Sequence, residues 1–241
     1  MNSKGLHAAD ISHSYGDSPV LDGIQLRVTA GEFVAVVGAS GCGKSTLLNI
    51  LSGHLMPSSG TVARNGQMRM VHQRDGVFPW MTVAQNVAMA LRHITDPPER
   101  DKELKRVLEL VRLAPFADEY PHRLSVGMRQ RVELARAIAS ETEIMLLDEP
   151  FSALDYLSRH RLGRELAGWL SERPRAVILV THDLEEAARL ADRIIVLAGR
   201  PAGILDEIIV DSPSPRDPTD PIVVDAVRRL LRHLQVDTAL S

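Results

Sequence analysis

Apolar and polar residues alternate from Leu6 to Tyr15 and again from Val20 to Val28, on either side of the turn-like Gly16-Asp17-Ser18-Pro19. A period of two around such a turn predicts two antiparallel strands. The run Phe33 to Val37 is unbroken and mostly β-branched, the pattern of a strand buried on both faces, and glycines stop it abruptly. Behind it, Ser45 to Leu51 predicts a short helix lying on a sheet. Further buried strands are expected at Glu143 to Leu147, Ala176 to Thr181 and Arg193 to Leu197, with helical sequence between them. That succession is α/β, with a mostly parallel sheet flanked by helices and an antiparallel β region at the N-terminal end. From Met81 to Ala139 the spacing changes: Val83, Val87, Leu91 and then Leu104, Val107, Leu108, Val111 fall at helical intervals. Residues 81–139 are therefore expected to form an inserted helical subdomain within a main domain of residues 1–210. The stretch 211–221 holds four prolines and reads as an extended linker. Beyond it, Val223, Val227, Leu230, Leu231 and Leu234 form one apolar stripe, which places a short helix and tail in residues 222–241.

Composition narrows the function classes. The 241 residues are 44% hydrophobic and 24% charged, with a net charge of −3. That is an ordinary globular balance without the basic excess of a nucleic-acid binder, so no direct nucleic-acid partner is expected. The single cysteine, Cys42, excludes an internal disulfide and suits a reducing compartment. No run of about 18 apolar residues occurs that would cross a bilayer, so any membrane contact is expected to be peripheral.

Candidate chemistry begins with Gly38-Ala39-Ser40-Gly41-Cys42-Gly43-Lys44-Ser45. It fits G-x-x-x-x-G-K-[ST] between a predicted strand and a predicted helix, the context a phosphate-binding P-loop requires. Glycines let successive backbone N–H groups turn inward around an anion, and the helix N-terminus, with Thr46 in its first turn, adds partial positive charge. Lys44 brings a mobile ammonium to the β- and γ-phosphates of ATP, and the Ser45 hydroxyl suits Mg²⁺. Cys42 contributes through its backbone rather than its thiol. Next, the apolar run Ile144 to Leu147 ends in Asp148 and Glu149. Strand alternation points adjacent side chains apart, so the two carboxylates should do different work. Asp148 suits the Mg²⁺ shell, and Glu149 suits polarising the water that attacks the γ-phosphorus.

With these residues in order, the chain resembles the ATP-binding subunits of ABC transporters, and the resemblance covers roughly residues 6 to 210. It implies a P-loop NTPase fold of ABC type. It also assigns further roles. Tyr15 matches the aromatic that stacks on adenine. Gln73 matches the glutamine that reaches Mg²⁺ and the attacking water and senses the membrane partner. The segment Leu124-Ser125-Val126-Gly127-Met128-Arg129-Gln130 resembles the signature, Ser152-Ala153-Leu154-Asp155 the loop after the catalytic glutamate, and His182 the switch histidine on the γ-phosphate. Ser125 is also a good N-cap for the helical run that follows, which makes a second anion-seeking helix end. The resemblance implies a homodimer closing on two ATP, with each nucleotide between one P-loop and the Ser125 and Gly127 region of the other chain.

One residue departs from the family pattern, which usually has glycine where Val126 stands. A β-branched residue resists positive φ and crowds a phosphate, so weaker ATP-driven closure is expected while activity survives. The run Val77-Phe78-Pro79-Trp80-Met81-Thr82-Val83 with Asn86-Val87, and Val196 to Pro201, are similar to importers of nitrate, sulfonates and taurine. Such importers imply transmembrane permease subunits, a solute-binding protein, and a peripheral place on the cytoplasmic side of the inner membrane. The alternative is a soluble ABC-type ATPase of nucleic acid or ribosomes. Those proteins carry a long coiled-coil insertion or tandem cassettes, and neither pattern occurs in this sequence.

Overall fold

The computed structural model describes residues 4–72 and 76–239. Two sheets organise it. Strands β1 (Gly5–Tyr15) and β2 (Ser18–Thr29) pair antiparallel, and β4 (Ser59–Asn65) joins the other edge of β1, giving the order β2-β1-β4. The second sheet has the order β5-β6-β7-β3-β8-β9, built from β3 (Phe33–Gly38), β5 (Met68–Val71), β6 (Ile144–Asp148), β7 (Ala176–Val180), β8 (Arg193–Ala198) and β9 (Gly203–Ile209). Its neighbours pair in parallel except β8 with β9.

Strand β3 shows why its sequence is apolar without alternation. Phe33, Ala35 and Val37 point into one core, with the helices of the second half of the chain. Val34 and Val36 point into another, shared with β1, β2 and α1 (Lys44–Ser52). The sheet is thus covered on both faces, as a mostly parallel sheet must be.

Between β5 and β6 every named element is helical: α2 (Val83–Ala88), α3 (Pro97–Leu110), α4 (Val126–Ala139) and three short 3₁₀ turns. Val83, Val87, Leu91, Val107, Leu108 and Val111 are buried in the larger core, as their spacing requires. After β6 come α5 (Tyr156–Glu172), α6 (Leu184–Leu190) and, at the end, α7 (Pro221–Ala239).

The Pro-rich segment before α7 has no regular structure, yet it is anchored. Arg216 is buried, and its guanidinium donates to the carbonyls of Ala188, Ala191, Val210 and Ser212. Helix α7 then packs Val223, Ala226 and Leu230 into the larger core, and Arg229 grips Asp206 of β9 at 2.7 and 2.8 Å. The final helix therefore belongs to the body of the fold. Among the described residues, no helix is long and apolar enough to cross a membrane.

Candidate active site

Because β5, β6, β7 and β3 are parallel, their C-terminal ends share one edge of the sheet, where open α/β sheets bind ligands. The residues that follow those ends are His72, Asp148 with Glu149, Thr181 with His182, and the glycine loop after Gly38.

That loop delivers the chain into α1 without a side-chain cap. Its N-cap is Gly43, at φ 111°, a backbone state that side-chain-bearing residues rarely adopt. A Cβ there would also stand 2.9 Å from Leu21 and 3.0 Å from Val20. The same closeness seats the β1–β2 hairpin against the loop. With no capping side chain, the first amides of α1 are left for an anion. Lys44 is buried, and its Nζ donates to the carbonyls of Gly38 at 2.8 Å and Ala39 at 2.9 Å. The ammonium is thereby held over the loop, where a phosphate oxygen can replace the carbonyls. Ser40, Gly41 and Ser45 are exposed, Ala39 and Thr46 half-buried, and Cys42 buried.

The two acidic residues part company as alternation demands. Asp148 ends β6 buried, and Ser45 Oγ donates to its Oδ1 at 3.4 Å. Glu149 leaves the strand at φ 47°, in the left-handed region, and sets its Oε1 3.2 Å from His182 Nδ1. A non-glycine residue there costs about 1–3 kcal/mol, and such residues gather at functional sites. Several bonds hold it. The Glu149 amide donates to Val180 O at 2.9 Å. Its carbonyl accepts from Ser152 Oγ and from Gln130 Nε2, both at 3.0 Å. The His182 side chain remains 60% exposed.

Burial pushes the Asp148 carboxyl above its usual range and the Glu149 charge adds to this, against the Ser45 hydrogen bond and the charges of His72 and Lys44. A buried carboxylate in that condition is stabilised by a cation. Ser45 and Asp148 offer hard oxygen donors of the kind that hold Mg²⁺ while it keeps water and phosphate oxygens. Gln73 lies outside the described residues. Tyr15, at the end of β1, is 54% exposed and rests edge-on against His13 with centroids 4.7 Å apart. An exposed aromatic ring of this kind can stack on a planar base.

Ser125 caps α4 as its residue type suggests, with Oγ accepting from Met128 N at 3.2 Å. Val126 is the first residue of that helix and does not have positive φ. The objection that a β-branched residue resists left-handed backbone therefore falls away, and crowding by its exposed side chain is what remains. Gly127 is required by close approach: a Cβ would stand 2.9 Å from Leu154 Cδ2 and 3.3 Å from Ala153 O. Here the fold adds two residues that sequence reading left without a role. Gln130 is buried and bridges the Glu149 carbonyl and the Ala153 amide, the latter at 3.2 Å. Arg159, on α5, reaches both Leu154 O and Asp183. Gln130 carried two legible signs, its place at the end of the signature-like segment and a polar side chain on a buried helix face; Arg159 carried none.

Away from the site, the Phe78–Trp80 turn is fixed from beneath. Buried Asn86 accepts from Phe78 N at 2.9 Å and donates to the carbonyls of Phe78, Met81 and Thr82. The Arg136 guanidinium covers the Phe78 ring at 4.6 Å. Phe78 is half-buried, whereas Trp80 is 68% exposed.

A protein-family model described as ABC transporter matches residues 21–152, more than half of the chain. The chain belongs to the ABC transporter family. Among curated relatives of this ABC chain, the aliphatic sulfonates import ATP-binding protein SsuB 1 of Rhodococcus jostii is 40% identical over 100% of this chain and 98% of its own length. The nitrate import ATP-binding protein NrtC of Synechococcus elongatus is 39% identical over 87% of this chain, which spans only 34% of that longer protein. Of solved structures, the dimeric bacterial ABC transporter cassette MJ0796 aligns with a TM-score of 0.77 at 29% identity, over 86% of this chain and 99% of its own. The same cassette is also solved as a dimer bound to ADP and Pi.

Proposed function

We propose that this chain is the ATP-hydrolysing subunit of an importer for a small solute such as nitrate, a sulfonate or taurine. The observation that carries the proposal is the pairing of Ser45 with Asp148 and of His182 with Glu149 beside an uncapped helix N-terminus and Lys44. Such an arrangement offers anion contacts, oxygen donors for a metal, and a carboxylate next to an imidazole. The names of the sulfonate and nitrate relatives point to the same transport class.

In this reading ATP is the substrate. The loop from Gly38 to Ser45 and the α1 amides, including that of Thr46, receive its phosphates, Lys44 moves from its carbonyls to the β- and γ-oxygens, and Tyr15 stacks on the base. Mg²⁺ held by Ser45 and Asp148, with Gln73, supplies charge neutralisation. Glu149 accepts hydrogen bonding from the attacking water, and His182 faces the γ-phosphate and orients Glu149. Little covalent chemistry falls to the protein, so rate comes from positioning and charge.

Two copies of the chain pair on two ATP, as dimeric relatives suggest, with Ser125 and Gly127 of each facing the other's nucleotide. Trp80 forms the anchor for a transmembrane permease. The pair sits peripherally on the cytoplasmic side of the inner membrane, and a solute-binding protein delivers cargo to the permease. Extraction of the tagged chain from its native membranes in mild detergent tests this. A co-purifying permease and phosphate release that Lys44→Ala abolishes through lost nucleotide binding are expected. Ribosomes or DNA in place of the permease would favour a soluble ATPase of the same family.

A further inference from the structure

The Arg159 side chain links the segment that carries His182 to the turn that follows Glu149. Arg159 belongs to the first turns of α5, where its amide donates to Asp155 O at 2.9 Å. Its guanidinium turns back, with Nη1 donating to Asp183 Oδ2 at 2.5 Å and Nη2 to Leu154 O at 3.3 Å. Both members of the ion pair are about three-quarters buried, so charge-assisted bonds there are stronger than on an open surface.

Each partner of Arg159 leads to the reacting centre. Asp183 follows His182 directly; its amide donates to Thr181 Oγ1 at 3.0 Å, and its other carboxylate oxygen accepts from Glu186 N at 3.0 Å. Fixing Asp183 therefore fixes the backbone on the far side of the histidine. Leu154 lies in the turn that Gln130 ties to Glu149, and its side chain lies against Gly127 of α4. His182 itself is mostly exposed, and its Nδ1 stands 3.2 Å from Glu149 Oε1. So exposed a ring depends on its backbone for aim.

We infer that Arg159 is a positioning residue for ATP hydrolysis, holding His182 in register with Glu149 by bridging Asp183 to the Leu154 carbonyl. Through this bridge a shift of the turn beside Gly127 also moves the histidine. The inference rests on the ATPase reading above. A purely supporting role for Arg159 in α5–α6 packing predicts something different: lower stability, with binding and turnover falling together.

The test uses the full chain with wild type, Arg159→Gln, Arg159→Lys, Asp183→Asn and the Arg159→Gln/Asp183→Asn double variant. Turnover, KM, affinity for a fluorescent ATP analogue and thermal midpoint are measured for each. Arg159→Gln should lower kcat about tenfold to a hundredfold, the scale of a misplaced catalytic group. KM and analogue affinity should stay within about twofold of wild type. Arg159→Lys keeps the Asp183 pair but not the planar fork and should recover part of the rate. The double variant should be no slower than the worse single one, since both break one bridge. Wild-type kcat in Arg159→Gln, losses that multiply in the double variant, or a fall in kcat matched by the fall in affinity would overturn the inference. If Arg159→Gln does not fold, the lysine variant decides: reduced kcat at an unchanged midpoint supports the bridge, and unaltered kcat refutes it. A wild-type chain that releases no phosphate would instead bring down the ATPase reading itself.

Discussion

Replacing Gln130 with alanine removes one amide that joins the two sides of the site. Its Nε2 donates to the Glu149 carbonyl and its Oε1 accepts from the Ala153 amide. The losses are unequal. The Glu149 carbonyl keeps its bonds from Ser152 Oγ at 3.0 Å and Ser152 N at 3.2 Å, so it forfeits only about 1 kcal/mol of net hydrogen bonding. The Ala153 amide loses the acceptor that Gln130 gave it, at about 1–3 kcal/mol if no water replaces it. Stability should therefore fall by roughly 2–4 kcal/mol, read as a lower urea midpoint at an unchanged slope. Turnover should fall further than stability explains, because the lost bond is one of those holding Glu149 at φ 47°. Relaxing that backbone moves the carboxylate away from the water it is proposed to polarise, and a displacement near 1 Å is enough for about a hundredfold in rate. Steady-state phosphate release at saturating ATP, well below the melting temperature, measures this. Wild-type kcat in a destabilised Gln130→Ala protein would refute the reasoning, since it would mean that the clamp supports the fold but not the geometry.

Other perturbations reach separate parts of the molecule. Burial, with repulsion from Asp183 and Glu149, raises the Glu186 carboxyl from 4.5 to about 7 against the Thr181 hydrogen bond and the Arg159 charge. The folded state then binds a proton that the unfolded chain has already lost, so stability declines as pH rises through that window. Glu186→Gln should remove a penalty on the order of 3 kcal/mol above about pH 8 and have little effect near pH 5; equal shifts in urea midpoint at both would contradict this. Trp80→Ala should loosen permease co-purification by about 2 kcal/mol, near thirtyfold, while the ATPase of the isolated chain is unchanged; retention of the permease would remove Trp80 as the anchor. Val126→Gly should tighten ATP-dependent pairing by about 1 kcal/mol, roughly fivefold, through relief of crowding. Sedimentation that shows no gain would leave Val126 without effect.

How much of this was legible follows from whether a signal is local. The glycine loop, Lys44 and Ser45 are contiguous, and the strand and helix around them have strong periodicity, so sequence placed them. The helical region was equally plain, because Val83, Val87 and Leu91 face one core. Strand β4 was not. Its residues are exposed except for half-buried Val62, so Ser59 to Asn65 has no alternating pattern, and its register is set by β1, with Ala8 opposite Val62. The Pro-rich segment looked like a free linker because nothing in its sequence shows that Arg216 enters a nest of carbonyls from α6, its C-terminal end and the segment after β9. Gln130 and Arg159 escaped for a related reason. Their partners lie about twenty residues away or across a turn, and a polar residue's partner is decided by the fold. Val126 shows the opposite error, since a backbone constraint was expected that its helical position does not impose.

The proposed hydrolysis turns on Glu149 driving the attack on an ATP held by Lys44 and the α1 amides. Its most direct test is a single-turnover measurement on Glu149→Gln loaded with radiolabelled ATP and Mg²⁺, beside wild type. ATP binding equal to wild type and a stable ATP-bound dimer are expected, with γ-phosphate cleavage slowed by at least about a hundredfold. Cleavage at the wild-type rate by Glu149→Gln would contradict it.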